Sequence, residues 1–133
     1  MATFTDEVGA FLAGFGRPSN LLAALRDVEL SVPLDVEGRY FTTVVDGLPW
    51  MIAFTSPEGL LAYAELTGRD VDEVTYLEVT GAYLIDAVLD VAPEPTGLIV
   101  DPQTPRAMTF PPIRAFTPHC YIDDDGEVAR WSN

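Results

Sequence analysis

The chain has 133 residues, 48% of them apolar and 21% charged, and a formal net charge of −14. That is a globular composition at the length of one domain, with enough apolar residues for a single core. All seven basic residues are arginines, and so acidic a chain lacks the clustered cations that bind nucleic acid or an anionic membrane surface.

Residues 6–15 read as a short helix, with Asp6 and Glu7 favourable in its first turn. Gly14, Gly16 and Pro18 break it. Residues 19–27 read as a second helix, capped by Ser19 or Asn20, with Leu21, Leu22 and Leu25 as its apolar stripe. The segment 28–34 alternates apolar and polar residues, the pattern of a strand with one buried face.

The clearest local signal spans 39–54. Two β-rich runs flank Asp46-Gly47, the dipeptide favoured in a two-residue type I′ hairpin. That loop sets Val45 opposite Leu48, Thr43 opposite Trp50 and Phe41 opposite Ile52. This face is the more apolar. The other face carries Tyr40, Thr42 and Val44 against Ala53, Met51 and Pro49, and is apolar enough to be partly covered. Pro49 falls at a non-hydrogen-bonded position, where its missing N–H costs nothing within the hairpin.

Ser56-Pro57-Glu58 is a strong helix start: a capping hydroxyl, proline at the first helical position, and an acid in the first turn. Leu60, Leu61, Tyr63, Ala64 and Leu66 give that helix an apolar face, and Gly68 ends it. A β-rich run follows at 73–79. Thr80 caps a further helix that buries Leu84, Ile85, Val88 and Leu89, with Pro93 and Pro95 beyond its end. Thr96 to Asp101 is a short, mostly apolar strand of the kind covered on both faces. Residues 102–118 are proline-rich and read as irregular. Residues 119–131 form a hairpin or an extended tail turning at Asp125-Gly126.

The expected architecture is α/β, bordering on α+β. It is a single domain over 1–133 with a mixed sheet of about five strands, an antiparallel hairpin at 39–54, and helices packed on the sheet. The β-α-β-α-β stretch over 48–101 implies parallel neighbours joined by helical crossovers. The N-terminal stretch 1–15 lacks the cationic start and long apolar core of a signal peptide, and no apolar run approaches the ~20 residues of a membrane span. The expected location is cytoplasmic. Arginine in place of lysine, with abundant Ala, Val, Asp, Gly and Pro, fits a high-GC bacterial genome.

Three segments together resemble one family. They are Phe54-Thr55-Ser56-Pro57-Glu58-Gly59-Leu60 at a strand–helix junction, the strand–helix pair from Tyr76 to Leu89, and Thr96-Gly97-Leu98-Ile99-Val100-Asp101-Pro102-Gln103-Thr104-Pro105. As a set they are similar to the SseB-type N-terminal domain of actinobacterial and enterobacterial proteins. The resemblance covers about 28–111. It leaves out the N-terminal helices at 1–27 and the proline-rich, acidic C-terminal extension at 112–133. Asp101 stands where the family often has asparagine, and Gln103-Thr104 where it often has glycine-serine. The resemblance implies an α/β domain without established catalytic residues, so no catalytic position is carried over.

Chemistry-bearing patterns are few. A single cysteine makes no intrachain disulfide, and a single histidine starts no multi-histidine metal site. His119-Cys120 supplies a thiol beside an imidazole, but neighbours on an extended segment point to opposite sides. Asp123-Asp124-Asp125-Gly126-Glu127 resembles a piece of a calcium loop. With Gly126 at the sixth position, Tyr121 and Ser132 would fall at the first and twelfth, and neither fits. Gly14-Phe15-Gly16-Arg17-Pro18 lacks the third glycine and the strand context of a phosphate loop. No catalytic, cofactor or metal residue is expected.

Two regions remain as candidate sites. Asp101, at the end of a central strand, and Ser56, at a helix start, could border a ligand pocket at the strand ends. The segment around Phe110, Pro111, Pro112, Ile113 and Phe116 is apolar and semi-rigid. It either packs on its own domain or offers an apolar edge to a protein partner or a second copy. The leading expectation is a non-catalytic protein-interaction module steered towards basic partners. A small-molecule sensor or enzyme using the Asp101 pocket is the first alternative. An immunity or inhibitor protein that neutralises a basic partner is the second.

Overall fold

The computed structural model describes residues 3–130, and the end of the expected C-terminal strand at Trp131 lies outside them. Helix α1 spans Phe4–Leu12. It starts two residues before the expected point because Thr3 and Asp6 form a reciprocal capping box. Helix α2 spans Pro18–Asp27. Pro18 is its first residue, so the proline that ends one segment opens the next, and Ser19 and Asn20 lie inside the first turn instead of capping it.

Strand β1 is Glu29–Pro33, β2 is Thr42–Val45 and β3 is Leu48–Ala53. The hairpin has the expected register, with Val45 opposite Leu48, Val44 opposite Pro49 and Thr43 opposite Trp50. Asp46 (φ 53°) and Gly47 (φ 80°) both adopt the left-handed backbone that a type I′ turn demands. The ladder stops at Thr42–Met51, one pair short of Phe41–Ile52. There the chain switches partner, and the Phe41 N–H donates to the Pro33 carbonyl at 3.0 Å.

Helix α3 is Pro57–Leu66, with the Ser56 hydroxyl accepting from the Gly59 N–H at 3.1 Å. It buries Leu60 and Ala64, while Leu66 faces solvent. A 3-10 turn at Val71–Glu73 leads into β4, Tyr76–Thr80. Thr80 caps α4, Gly81–Tyr83, which runs straight into a π-helical segment, Leu84–Leu89. Strand β5 is Gly97–Val100, β6 is Met108–Phe110, and β7 (Cys120–Ile122) pairs with β8 (Val128–Arg130) as an antiparallel hairpin.

The fold is α+β, with a mixed four-stranded sheet in the order β2-β3-β5-β6 and two small two-stranded sheets. Strands β3 and β5 are parallel. Strand β4 is not their parallel neighbour, as the alternating pattern implied, but pairs antiparallel with β1. The reason is burial. Gly97, Leu98 and Val100 are buried and suit a central strand, whereas Leu77, Glu78 and Thr80 of β4 face solvent. The β1–β4 pair meets the large sheet where Ser31 and Phe54 exchange backbone hydrogen bonds of 2.8 and 2.9 Å, and again at the Phe41–Pro33 bond beside β2. Strand β6 replaces part of the expected irregular segment. Met108 and Phe110 are buried on either side of exposed Thr109, and this alternation lets the stretch between Pro105 and Pro111 close the sheet edge.

Both sheet faces are covered, but the larger core lies on the face that looked less apolar in the hairpin alone. Met51, Ala53, Leu98, Val100, Met108 and Phe110 join Phe4, Val8, Leu21, Leu25, Leu84 and Leu89 from the other helices. Ile52 and Phe54 instead form a smaller cluster with Leu60 of α3. Three helical segments supply apolar partners to the first face and one supplies them to the second.

On β1–β4, Glu29 lies opposite Thr80 and Glu78 opposite Ser31, which brings the two glutamates together diagonally. A hydrogen bond to Glu29, with slight burial and repulsion from Glu29 and Glu58 adding to it, raises the Glu78 carboxyl above its ordinary value. A raised carboxyl favours the folded state at low pH, and that contribution is lost as the pH rises through the raised value. Glu78→Gln is therefore expected to melt higher than wild type near pH 7, with the advantage fading as the pH falls through the raised Glu78 value. Melting curves across that range check this, and a pH-independent difference would contradict it.

Candidate functional site

The two expected ligand-pocket residues are brought close together but are structurally occupied. The Asp101 carboxylate accepts the Thr55 N–H at Oδ1 (2.9 Å) and the Thr55 hydroxyl at Oδ2 (2.8 Å). The Asp101 N–H donates to the Ala53 carbonyl at 2.9 Å. Asp101 thus staples the chain leaving β5 to the chain leaving β3, across the strand ends where a ligand crevice was expected. Ser56 is spent on its helix cap. Neither residue lines the main cleft described below. Asp101 also has φ 52°, a conformation aspartate tolerates better than alanine. Asp101→Ala is expected to cost about 2–4 kcal/mol, from two lost charge-assisted hydrogen bonds plus the left-handed backbone. Urea denaturation measures this, and a loss below about 0.5 kcal/mol would show that the staple carries no weight.

The proline-rich segment packs on its own chain. Phe110, Pro112 and Phe116 are buried, and the Phe110 and Phe116 rings stack with centroids 5.6 Å apart. These three side chains are therefore closed to a partner, so of the two alternatives for this segment the packing on its own domain holds for them and the docking edge does not. Only Pro111 and Ile113 of the five remain exposed. The chain turns at 111–117, with the Phe116 and Thr117 N–H groups both donating to the Ile113 carbonyl at 2.9 Å. This turn drives Phe116 back under Phe110.

His119 and Cys120 project differently, as extended backbone requires. The Cys120 thiol is buried and donates to the Ala92 carbonyl. The His119 ring is largely exposed, and its Nδ1 lies 2.6 Å from Asp90 Oδ2. The other Asp90 oxygen accepts the His119 backbone N–H at 2.8 Å. This buried carboxylate ties the end of the π-helical segment to β7. Twenty-nine residues separate the two, and nothing local in the sequence marks them as partners. The acidic run at 123–127 is a turn, in which Asp123 Oδ1 accepts the N–H groups of Asp125 and Glu127, and Gly126 has φ 79°.

The main concavity lies elsewhere. A cleft of about 690 Å³ opens between the outer sheet face, α3, and the two loops at 34–39 and 67–75. Its lining is apolar and aromatic, with half-buried Phe41, Tyr63 and Val74 over buried Ile52, Phe54 and Leu60. Phe54 and Tyr63 touch with ring centroids 5.4 Å apart. Helix α3 is short, and Gly68 (φ 80°) turns the chain away after it. On this face Ile52 and Phe54 are buried with Leu60 of the helix, and Phe41 is left half-buried. Asp35, Arg69, Asp70 and Glu73 stand at the mouth, with Val36 beside them fully exposed. The Asp35 carboxylate organises one loop by accepting the Glu37 and Arg39 N–H groups, and Asp70 caps the 3-10 turn.

Sequence reasoning placed no site here. The available signal was an apolar hairpin face longer than the helix that follows it. Among the described residues, no helix is long and apolar enough to cross a membrane. No family model matches the chain, and no curated protein or solved structure matches it either.

Proposed function

We propose that this chain is a non-catalytic binding module that holds an apolar anchor of a protein partner in the cleft beside α3. The carrying observation is the cleft itself: a concave, aromatic-lined surface with a charged rim, the form taken by pockets that fix an inserted side chain. A volume of about 690 Å³ also falls in the range of small-molecule pockets, which favours an apolar metabolite as the second reading.

The test is an NMR titration of the isotope-labelled full chain with a short capped Leu-Phe-Leu peptide. Amide shifts are expected to centre on Phe41, Leu60, Tyr63 and Val74. Val36→Asp alters a fully exposed side chain at the mouth. It is expected to weaken the peptide about fivefold with an unchanged melting temperature, because one valine loses its apolar contact. Shifts scattered away from the cleft would contradict the proposal. Saturable shifts with a metabolite library but none with peptides would favour the second reading.

A further inference from the structure

The cleft mouth carries three carboxylates, Asp35, Asp70 and Glu73, against one cation, Arg69. The chain around it is strongly acidic throughout. A cleft with low-dielectric walls focuses such a field, so a cation is drawn to it and an anion repelled. Asp35 and Asp70 accept backbone N–H groups of their own loops, and Asp35 also pairs with Arg39 at 3.9 Å. Glu73 and the Arg69 guanidinium form no hydrogen bond or ion pair with any described side chain. The guanidinium lies instead on the Phe41 ring, its central carbon 4.4 Å from the centroid. This is cation–π geometry, so the ring at the cleft mouth already presents its negative face to a cation.

Resting on the binding-module reading, we infer that the cleft recognises a partner segment in which lysine or arginine is flanked by apolar side chains. The apolar groups pack against half-buried Tyr63 and Val74. The incoming cation takes the Phe41 face that Arg69 now covers, with Glu73 as its counter-charge. Arg69 is then an internal stand-in that the partner displaces. An anionic partner would meet Asp35, Asp70 and Glu73 against Arg69 and the Asp35-paired Arg39, so charge complementarity selects the basic one.

Three synthetic peptides test this on the full-length chain: capped Leu-Lys-Phe-Arg-Leu, and the same peptide with glutamate or serine at the two basic positions. Calorimetry gives affinity and NMR gives location. The basic peptide is expected to bind at least about tenfold tighter than the acidic one near 20 mM salt, with the gap narrowing near 500 mM. Glu73→Lys should weaken the basic peptide about fivefold and leave the serine peptide unchanged. Arg69→Ala, which uncovers the ring and removes a like charge, should tighten the basic peptide about threefold. Both side chains are exposed, so unchanged melting temperatures serve as the folding control. Equal binding of basic and serine peptides in the cleft would overturn the inference and leave the binding-module reading standing. Shifts spread over the acidic surface and indifferent to Glu73→Lys would also overturn it. No cleft shift with any peptide would remove both.

Discussion

Gly81→Ala is expected to destabilise the fold by about 3 kcal/mol or more, a large part of the 5–15 kcal/mol that holds a small domain together. Gly81 is the first residue of α4, where the helix crosses the end of α2, and its N–H donates to the Val28 carbonyl at 2.8 Å. A Cβ here would fall inside the contact radius of the Leu25 carbonyl oxygen, 2.7 Å from the Leu25 carbonyl carbon and 3.2 Å from the Arg26 Cα. Those are backbone atoms and cannot rotate aside. The two helices are held against each other by buried Leu25 and Leu84, and at the surface by the Arg26–Asp86 pair at 2.6 Å. Relief therefore means separating packed helices and opening voids in the main core. Gly97 is the instructive contrast. Its added Cβ would meet the Trp50 ring, a half-buried side chain that can swing outward. Urea midpoints for Gly81→Ala and Gly97→Ala should rank in that order, and equal midpoints would mean the helix crossing is looser than described.

Phe116→Ala should cost about 3–5 kcal/mol, whereas Ile113→Ala, three residues away, should cost under about 1 kcal/mol. Phe116 is 5% exposed and Ile113 is 47% exposed. The comparison decides what the proline-rich segment is for. A partner-binding edge would put both residues on the surface and make both substitutions nearly silent for stability. A core-forming segment makes only Phe116 matter, because its removal empties the space against Phe110, Met108 and the central strand β5. By the same reasoning, a chain cut after Pro111 would lose Pro112, Phe116 and Cys120 from the interior. Its oligomeric state would then report unfolding, not assembly. Matching denaturation midpoints for the two alanine variants would return the segment to the surface.

The contrast between these residues shows where the sequence is legible. Phe110, Ile113 and Phe116 look alike as letters in a proline-rich run. Their sorting into core and surface depends on β6 finding β5, which no local pattern near residue 110 announces. The candidate site follows the same rule. Phe41, Ile52, Leu60 and Tyr63 were each readable as apolar positions on a strand or helix. The cleft between them exists because α3 ends early and two loops stand up around it. Asp101 was readable as a strand-end residue before a proline. Only its placement beside Thr55 turns it from a pocket candidate into a staple.

By itself the sequence determined the features that arise within a few residues of one another. The type I′ turn at Asp46-Gly47, the hydroxyl caps of Ser56 and Thr80 and the proline at the head of α3 are of this kind. Each depends on local backbone preference or on a hydrogen bond reaching three residues along the chain. The tertiary structure decided which strand β4 pairs with, which sheet face carries the larger core, the Asp90–His119 and Asp101–Thr55 ties, and the cleft. A period-two pattern says that one face of a strand is buried but not against what. Those outcomes come from competition between distant segments for a limited interior. They are settled only when the strands most apolar on both faces take the centre and the half-polar ones are left at the margin.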